Sequence, residues 1–301
     1  MSNAAYAHHR SDDFDPGPVE LHARNVEFEW KDTPLHWIPN HPVSSNVISM
    51  LNLLLPEGER WFVQTYNETL PLVKDEELAS AMRGFIGQEA MHAETHDRVL
   101  WEFLKNNGVD PTPFQRQMEW VFRKVLGPSN HPDPDVRHKH LVERLWLIAA
   151  IEHYTAVLGD FALNNTWSEH DADPAMTDLF RWHGAEEVEH REVAHDVASY
   201  FGDSYLKRGR AMLAVLPALL FVINRGTRFI ALNDPAGRTG YVGQWFGYFR
   251  GARRGLLPTM RSIIFATFTY FKPSFRPSQV GSTSQAVAYL ASSPAARAAH
   301  K

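Results

Sequence analysis

Cysteine is absent from the 301 residues of the chain. A disulfide framework, a thiolate metal site and a cysteine nucleophile are therefore excluded. Any metal ion would have to be held by carboxylates and by the 16 histidines. An excess of positive charge is also missing, because 30 lysines and arginines face 35 aspartates and glutamates. This balance excludes a strongly basic protein, and we expect no nucleic-acid partner.

Long hydrophobic runs are scarce. The most apolar run, 211–223, is interrupted by Pro217, whereas a membrane-spanning helix needs about 20 apolar residues. We interpret the run as a buried helix or a hydrophobic hairpin, covered most simply in a homodimer. The polar N-terminus has no apolar signal segment, so we predict a cytoplasmic protein. Basic residues on both sides of the run leave open a peripheral membrane contact through 207–228.

The composition is that of a globular protein, and the sequence has helical periodicity. Hydrophobic residues make up 44% of the chain and charged residues 22%. Glycine and proline cluster between long segments and are sparse inside them, which predicts an all-α protein centred on a four-helix bundle. The predicted helices cover 45–69, with a break near Pro56, 75–106, 113–126, 136–165 and 172–201.

The same punctuation divides the chain into four regions. We predict a mobile N-terminus (1–18), a bundle with an irregular lead-in (19–202), a C-terminal helical extension packed on the bundle (203–277) and a flexible tail (278–301). An extension of this length argues against an iron-storage cage and for a layer that covers the bundle.

Two helical segments contain the spacing Glu-x-x-His. The pairs are Glu89 with His92 and Glu187 with His190. Residues three apart lie side by side on a helix, so both side chains of a pair can reach one ion. One such pair occurs often by chance, because glutamate and histidine both favour solvated faces. The interpretation as a metal site therefore depends on further ligands.

Two more carboxylates occur in apolar surroundings. Glu152 lies in a helix that is apolar nearly all round, where a lone carboxylate is costly unless a cation neutralises it. A buried salt bridge is the alternative, but the nearest basic residue before it is Arg144, two turns away. Glu59 has apolar neighbours one turn before and after it. Helix capping after Pro56 is its alternative and competes more strongly for Glu57.

The order along the chain is Glu, Glu-x-x-His, Glu, Glu-x-x-His, on four successive helical segments. This is the ligand pattern of ferritin-like di-iron and di-manganese carboxylate bundles. We predict a dinuclear site with two Fe ions, with Mn or mixed Fe/Mn as alternatives and Zn less favoured. The predicted carboxylate ligands, which also carry the catalytic role, are Glu59, Glu89, Glu152 and Glu187, and the predicted imidazole ligands are His92 and His190.

Surplus candidates lie on the same helix faces. His183 is four residues before Glu187, and the spacing His-x-x-x-Glu-x-x-His is similar to that of di-iron arylamine N-oxygenases. This similarity implies that His183 is an additional metal ligand. His96, four residues after His92, is left open as a ligand or a supporting group. Glu186 is the alternative to Glu187, which the spacing favours, and His195 falls off this face.

Residues from about 25 to 277 resemble a bacterial family called predicted metal-dependent hydrolases. The matching stretches are 35–39 (LHWIP), 56–62 (PEGERWF), 83–92 (RGFIGQEAMH), 150–156 (AIEHYTA), 182–190 (WHGAEEVEH) and 270–277 (YFKPSFRP). The resemblance implies a ferritin-like fold and a metal site. Arg276 stands where the family usually has a histidine.

Three functions compete for such a site. We favour an enzyme in which two irons activate O₂ and oxidise a small apolar or amine-bearing substrate, since mixed glutamate and histidine ligands suit Fe(II). The first alternative is a metal-dependent hydrolase with a bridging hydroxide between two metals, with His96 or His153 as an acid or base. The second alternative is a non-catalytic metal-binding bundle.

Overall fold

The computed structural model describes residues 19–299, and every regular element within them is a helix. The prediction of an all-α bundle is confirmed. The predicted mobile segment 1–18 lies outside the described residues. The helices are α1 (Pro42–Ser49), α2 (Leu51–Thr69), α3 (Glu76–Val99), α4 (Thr112–Trp120), α5 (Pro134–Asn164), α6 (Pro174–His190), α7 (Val193–Tyr200), α8 (Tyr205–Leu232), α9 (Tyr241–Arg253), α10 (Met260–Tyr270), α11 (Thr283–Ser292) and α12 (Pro294–Ala299).

Four long helices, α2, α3, α5 and α6, form the central bundle. Helix α2 packs along α3, and α5 packs along α6. Each pair is joined by a short connection, which makes the two helices antiparallel neighbours. Contacts between α2 and α5, and between α3 and α6, join the two pairs into one bundle.

Aspartates start three of these helices. Asp75 accepts hydrogen bonds from the backbone N–H groups of Glu77 and Leu78 at the start of α3. Asp133 and Asp173 cap α5 and α6 in the same way, and a proline follows each of them. A carboxylate at this position satisfies a free N–H group and interacts favourably with the helix dipole. The helix starts are therefore encoded locally.

Two predicted helices are interrupted at different places in the structure from those that the sequence predicts. Pro56 lies inside α2 without breaking it, because tight packing along α3 outweighs the lost hydrogen bond, which costs roughly 3 kcal/mol. The segment predicted as one helix over 172–201 is interrupted after His190. There the guanidinium of Arg191 donates to the carbonyl of Val188. That carbonyl would otherwise accept from residue 192 in a continuing helix.

The apolar run 211–223 is part of one continuous helix, α8, with Pro217 in its interior. The hairpin interpretation of this run is therefore wrong. Helix α8 packs against α5 and α1, α9 against α1, and α10 against α5. Among residues 19–299, no helix combines the length and the hydropathy needed to cross a bilayer.

The described part of the predicted flexible tail forms helices α11 and α12, which both pack against α6. The carboxylate of Asp178 on α6 fixes them. It accepts from the Tyr289 hydroxyl at 2.7 Å and from the backbone N–H of Ala295 at 3.1 Å. The tail therefore differs from the prediction over 283–299, because a buried acceptor on the bundle anchors it.

The backbones of helices α5 and α6 are in close contact at Gly159 and Gly184. A Cβ atom on Gly184 would lie 2.8 Å from the Cα atom of Gly159, and one on Gly159 would lie 2.4 Å from the carbonyl oxygen of Gly184. Only glycine permits backbones this close. The contact lies one turn from Glu187 and two turns from Glu152, so it sets the distance between the two helices at the site.

Candidate metal centre

The predicted site residues come from all four bundle helices and lie together in the core. Helix α2 contributes one, α3 two, α5 one and α6 three: Glu59, Glu89, His92, Glu152, His183, Glu187 and His190. No residue in the set is more than 6% exposed. Four carboxylates and three imidazoles therefore share one buried volume.

One half of the cluster is centred on His190. Its Nε2 atom lies 3.2 Å from Glu89 Oε1, 3.2 Å from Glu152 Oε2 and 3.4 Å from Glu187 Oε2. These four side chains can each offer one atom to a common cation. The donors are hard oxygens and one imidazole nitrogen, which is the set that Fe(II) and Mn(II) prefer.

The other half contains His92, His183 and Glu59. The Nδ1 atom of His92 lies 3.5 Å from Glu187 Oε1 and 3.9 Å from Glu89 Oε1. The Nε2 atom of His183 lies 2.8 Å from Glu187 Oε1 and 3.7 Å from Glu59 Oε1. Glu89 and Glu187 thus border both halves, and the two oxygens of Glu187 point in different directions. The candidate donor groups therefore form two overlapping halves that share two carboxylates.

Most donor atoms of the cluster are buried without a hydrogen-bond partner. The unpartnered atoms are both carboxylate oxygens of Glu59 and of Glu89, Oε2 of Glu152 and of Glu187, Nδ1 of His92 and Nε2 of His190. Leaving a buried polar atom unsatisfied costs about 1–3 kcal/mol, so eight in one place need a common cause. Divalent cations between these atoms would satisfy most of them, and the residues fit such ions.

Three imidazoles are each held from outside the cluster. His92 Nε2 donates to Glu186 Oε2 at 2.9 Å, and His190 Nδ1 donates to Gln88 Oε1 at 3.0 Å. In a neutral ring, the other nitrogen then carries a lone pair, and in both residues that nitrogen faces the carboxylates. A lone pair facing carboxylate oxygens is repulsive unless a cation lies between them. Outer hydrogen bonds of this kind are typical of metal-binding histidines.

The third imidazole is oriented through a chain of hydrogen bonds. The amide nitrogen of Asn52 donates to the Ser49 carbonyl, so its oxygen faces His96. His96 Nδ1 donates to that oxygen at 2.6 Å, and its Nε2 accepts from His183 Nδ1 at 2.6 Å. The Nε2 atom of His183 consequently presents its lone pair to Glu187 and Glu59. Both ring nitrogens of His96 thus form hydrogen bonds in this arrangement, although His96 also forms a candidate metal-holding group with Glu59 and His183.

The pKa values show how unfavourable this crowding of carboxylates is. Burial and then the charges of neighbouring glutamates raise the pKa of Glu59 and of Glu89 well above the ordinary value. Burial and the charge of Glu187 raise the pKa of Glu152 to about 7. Burial opposes ionisation of His190, but Glu187 and Glu152 raise its pKa to about 10. Without metal, the proton on His190 thus provides the positive charge that a metal cation would provide at this position.

Glu186 and Glu187 have different environments, although they are neighbours in sequence. Glu186 turns away from the cluster, where it accepts from Arg24 at 2.7 Å and from the Trp182 indole at 3.1 Å. Its other oxygen holds His92. Sequence spacing favoured Glu187, and Glu187 is the residue that faces the cluster.

Three other residues considered in the sequence lie outside the metal-ligand cluster. Glu57 forms an ion pair with Arg123, with nitrogen–oxygen distances of 2.7 and 2.6 Å. His153 bonds the Ala266 carbonyl at 3.0 Å and packs against Tyr270, so it is unavailable as an acid or base for this cluster. His195 stacks edge-on with Trp146 outside the site, and its sequence position had already placed it off the face.

Sequence reasoning missed three supporting residues. Arg24 lies in the irregular lead-in, where no periodicity marks it, yet it reaches Glu186 and Glu189. Gln88 and Asn52 hold His190 and His96 but look like ordinary polar positions in the sequence. Of these three residues, the sequence could have suggested only Gln88, because it directly precedes the candidate ligand Glu89 on the same helix turn.

A cavity of about 150 Å³ adjoins the cluster. Carboxylates of the cluster, including Glu59, Glu152 and Glu187, form its inner wall. Leucine and isoleucine side chains of α2, α5 and α8 form much of the remainder. Small molecules therefore have space next to the candidate metal positions, in surroundings that contain little to hydrogen-bond with water.

Residues 22–281 match a family model described as predicted metal-dependent hydrolase. No curated protein and no solved structure matches the chain, so the ferritin-like relationship and the similarity to arylamine N-oxygenases stay predictions. The favoured function, activation of O₂ by a di-iron oxygenase, is wrong, because the family description supports the hydrolase that was its alternative. The resemblance seen in the sequence is confirmed, and the chain belongs to the family of predicted metal-dependent hydrolases.

Proposed function

We propose that the chain is a hydrolase that works with two divalent metal ions. The proposal rests on eight buried donor atoms that have no hydrogen-bond partner and lie where the four bundle helices come together. The family supports metal dependence and hydrolysis. A single structural ion would not need two halves that share Glu89 and Glu187. The spacing of the donors therefore favours a pair of ions.

The ligand assignment follows from the distances. Glu152 and His190 serve one ion, and Glu59, His92 and His183 serve the other. Glu89 and Glu187 face both ions. Five residues that each serve one ion and two that face both ions would make nine contacts, which exceeds the eight of two tetrahedral zinc ions, so we propose two Fe ions, with Mn or a mixed Fe/Mn pair as alternatives. Elemental analysis of protein purified from its native host tests this assignment.

His96 acts as a positioning residue for His183. We expect His96→Leu to weaken binding of the ion at the Glu59, His92 and His183 half by roughly 10- to 100-fold, because His183 loses the bond that fixes its lone pair. Titration of metal-free protein with Mn(II), followed by calorimetry, measures this loss. His153→Leu removes a buried histidine outside the site and should leave both affinities intact. Equal affinities in wild type and His96→Leu would contradict the role.

The protein and the ions have separate parts in the reaction. Bound divalent cations supply a water molecule of lowered pKa and polarise the bond that is broken. The Oε1 atom of Glu59 lies 3.7 Å from His183 Nε2, neither carboxylate oxygen has a hydrogen-bond partner, and the residue lines the cavity. Glu59 Oε2 is thus placed to accept a proton. The apolar walls keep bulk water from the reacting groups.

Reconstitution tests the proposed function. Metal-free protein is loaded with Fe(II) without oxygen, with Mn(II) or with Zn(II), and each form is assayed against carboxylic esters, amides and phosphoesters. We expect turnover of at least one class with Fe(II) or Mn(II), no turnover without metal, and loss of turnover in Glu59→Gln. Stoichiometric metal binding without hydrolysis of any class would contradict the proposal and favour a non-catalytic metal-binding bundle.

A further inference from the structure

The cavity extends from the buried carboxylates to the surface at α8. Its inner end is formed by Glu59, Glu152 and Glu187, which are each 2% exposed. Its outer part is lined by half-buried Ile223 and by Leu220, which is 40% exposed. The cavity is therefore a passage from the metal centre toward the outside rather than a closed void.

Polar groups are nearly absent along this passage. Beyond the cluster, the lining residues of the described chain that carry a polar side-chain atom are Tyr154, Thr155 and Trp167, whose indole N–H donates to the Leu256 carbonyl. The Tyr154 hydroxyl bonds Thr267 at 2.6 Å, and the Thr155 hydroxyl donates to Glu152. No lysine or arginine of the described residues lines the passage. A sugar or a phosphate would lose its hydration here without gaining partners.

We propose that the substrate is an ester or amide of an aliphatic carboxylic acid, whose chain fills the passage and whose carbonyl lies at the cluster. This inference rests on the proposed function. Water adds its oxygen to the carbonyl carbon, and the acyl C–O or C–N bond breaks. The proton from the water passes through Glu59 to the departing oxygen or nitrogen, so no other reactant is needed.

Binding of the product acids tests the inference without turnover. Acetate, octanoate and dodecanoate are titrated into Mn(II)-loaded protein, and binding is measured by calorimetry. We expect affinity to rise by up to three- to fourfold for each methylene that the passage buries. Affinity that does not depend on chain length would overturn the inference.

A matched pair of variants tests where the acyl chain of the ligand binds. Ile223→Trp puts a large ring into the passage and should weaken dodecanoate at least roughly tenfold while leaving acetate unchanged. Leu213→Trp lies on the same helix but is 69% exposed and lines no part of the passage, so it should bind both acids like wild type. Equal losses in the two variants would place the chain elsewhere and overturn the inference.

The two proposals fail in different ways. Binding that depends on acyl-chain length, without hydrolysis of carboxylic esters, amides or phosphoesters under any metal, would reject the proposed function and with it the substrate assignment. Hydrolysis of acetyl esters that does not improve with longer acyl chains would keep the hydrolase and reject the aliphatic substrate.

A different observation concerns the outer surface of the extension, where charge and apolar exposure coincide. Residues 203–277 contain 12 of the 30 lysines and arginines but two of the 35 aspartates and glutamates. Helix α9 exposes one apolar face, on which Val242 is 81% and Phe246 75% exposed, with Trp245 between them. Helix α10 does the same with Phe265 and Phe268.

We infer that this face binds an anionic phospholipid bilayer. Exposed aromatic side chains beside cations are the pattern of interfacial helices, in which the rings enter the headgroup region and the cations contact anionic lipids. Exposed Arg250 and Arg253 follow the apolar face of α9, and Arg261 and Lys272 flank that of α10. A second copy of the chain is a poor occupant, because a symmetric contact would bring the same cations together.

Vesicle sedimentation tests this inference. The full chain is expected to sediment with phosphatidylcholine–phosphatidylglycerol vesicles, not with phosphatidylcholine alone, and added salt should weaken the binding. The double change Trp245→Ala and Phe246→Ala should reduce binding roughly tenfold. Trp120→Ala removes an exposed tryptophan of α4, 62% exposed, and should have no effect. Absence of vesicle binding, or a wild-type dimer that the double change makes monomeric, would overturn the inference.

Discussion

Glu187→Ala is expected to abolish binding of both metal ions and all hydrolysis. Glu187 is the residue whose two oxygens face opposite halves, with Oε1 toward His183 at 2.8 Å and Oε2 toward His190 at 3.4 Å. Its removal takes one donor from each ion, and among residues 19–299 only Glu89 also borders both positions. Elemental analysis after gel filtration measures the number of ions bound per chain.

Glu152→Ala gives a graded comparison. Glu152 serves the His190 half only, so stoichiometric binding of two ions should be lost and at most one ion should remain. Glu143→Ala is the matched control, because Glu143 lies on the same helix and pairs with Arg210 at the surface. Two ions per chain in Glu152→Ala would show that the ligand assignment is wrong.

Gly184→Val is the second change for which we expect a large effect. The new Cβ would lie 2.8 Å from the backbone of Gly159, and backbone atoms cannot rotate away as side chains do. Helices α5 and α6 must move apart, which we expect to cost about 3 kcal/mol of unfolding free energy. Because α5 carries Glu152 and α6 carries Glu187, metal binding should weaken as well.

Thermal unfolding and metal analysis check this prediction together. Gly240→Val is the control, because a Cβ at Gly240 meets no atom within 4 Å and its backbone has a negative φ. Valine at this N-cap of α9 should lower the free energy of unfolding by no more than about 1 kcal/mol, and the protein should keep two ions. A Gly184→Val protein with unchanged unfolding temperature and full metal content would mean that the close approach of α5 and α6 has no part in forming the site.

Much of the cluster could be predicted because its signals are local. The spacing of Glu89 and His92 acquires meaning as soon as the segment is helical, since the helix repeat brings the two side chains to one face. Glu152 stood out because a carboxylate in an apolar helix needs a cationic partner. The all-α class followed in the same way from periodicity and punctuation.

The remaining features depend on contacts between distant segments. Nothing near Arg24 in sequence indicates that it would neutralise Glu186, 162 residues away. The continuity of α8 through Pro217 depends on packing against α5 and α1, which outweighs a local penalty. The order of residues 283–299 depends on Asp178, whose role as an acceptor appears only in the folded chain.

The two halves of the cluster are unequal, and this has a consequence for filling. Glu59, His92 and His183 belong to one half alone, whereas Glu152 and His190 belong to the other alone. When metal is scarce, the half with more ligands should bind its ion first, and the half with fewer ligands should exchange its ion more readily. One protein could thereby hold two different elements in a fixed order, with cellular supply deciding the occupant of the weaker position.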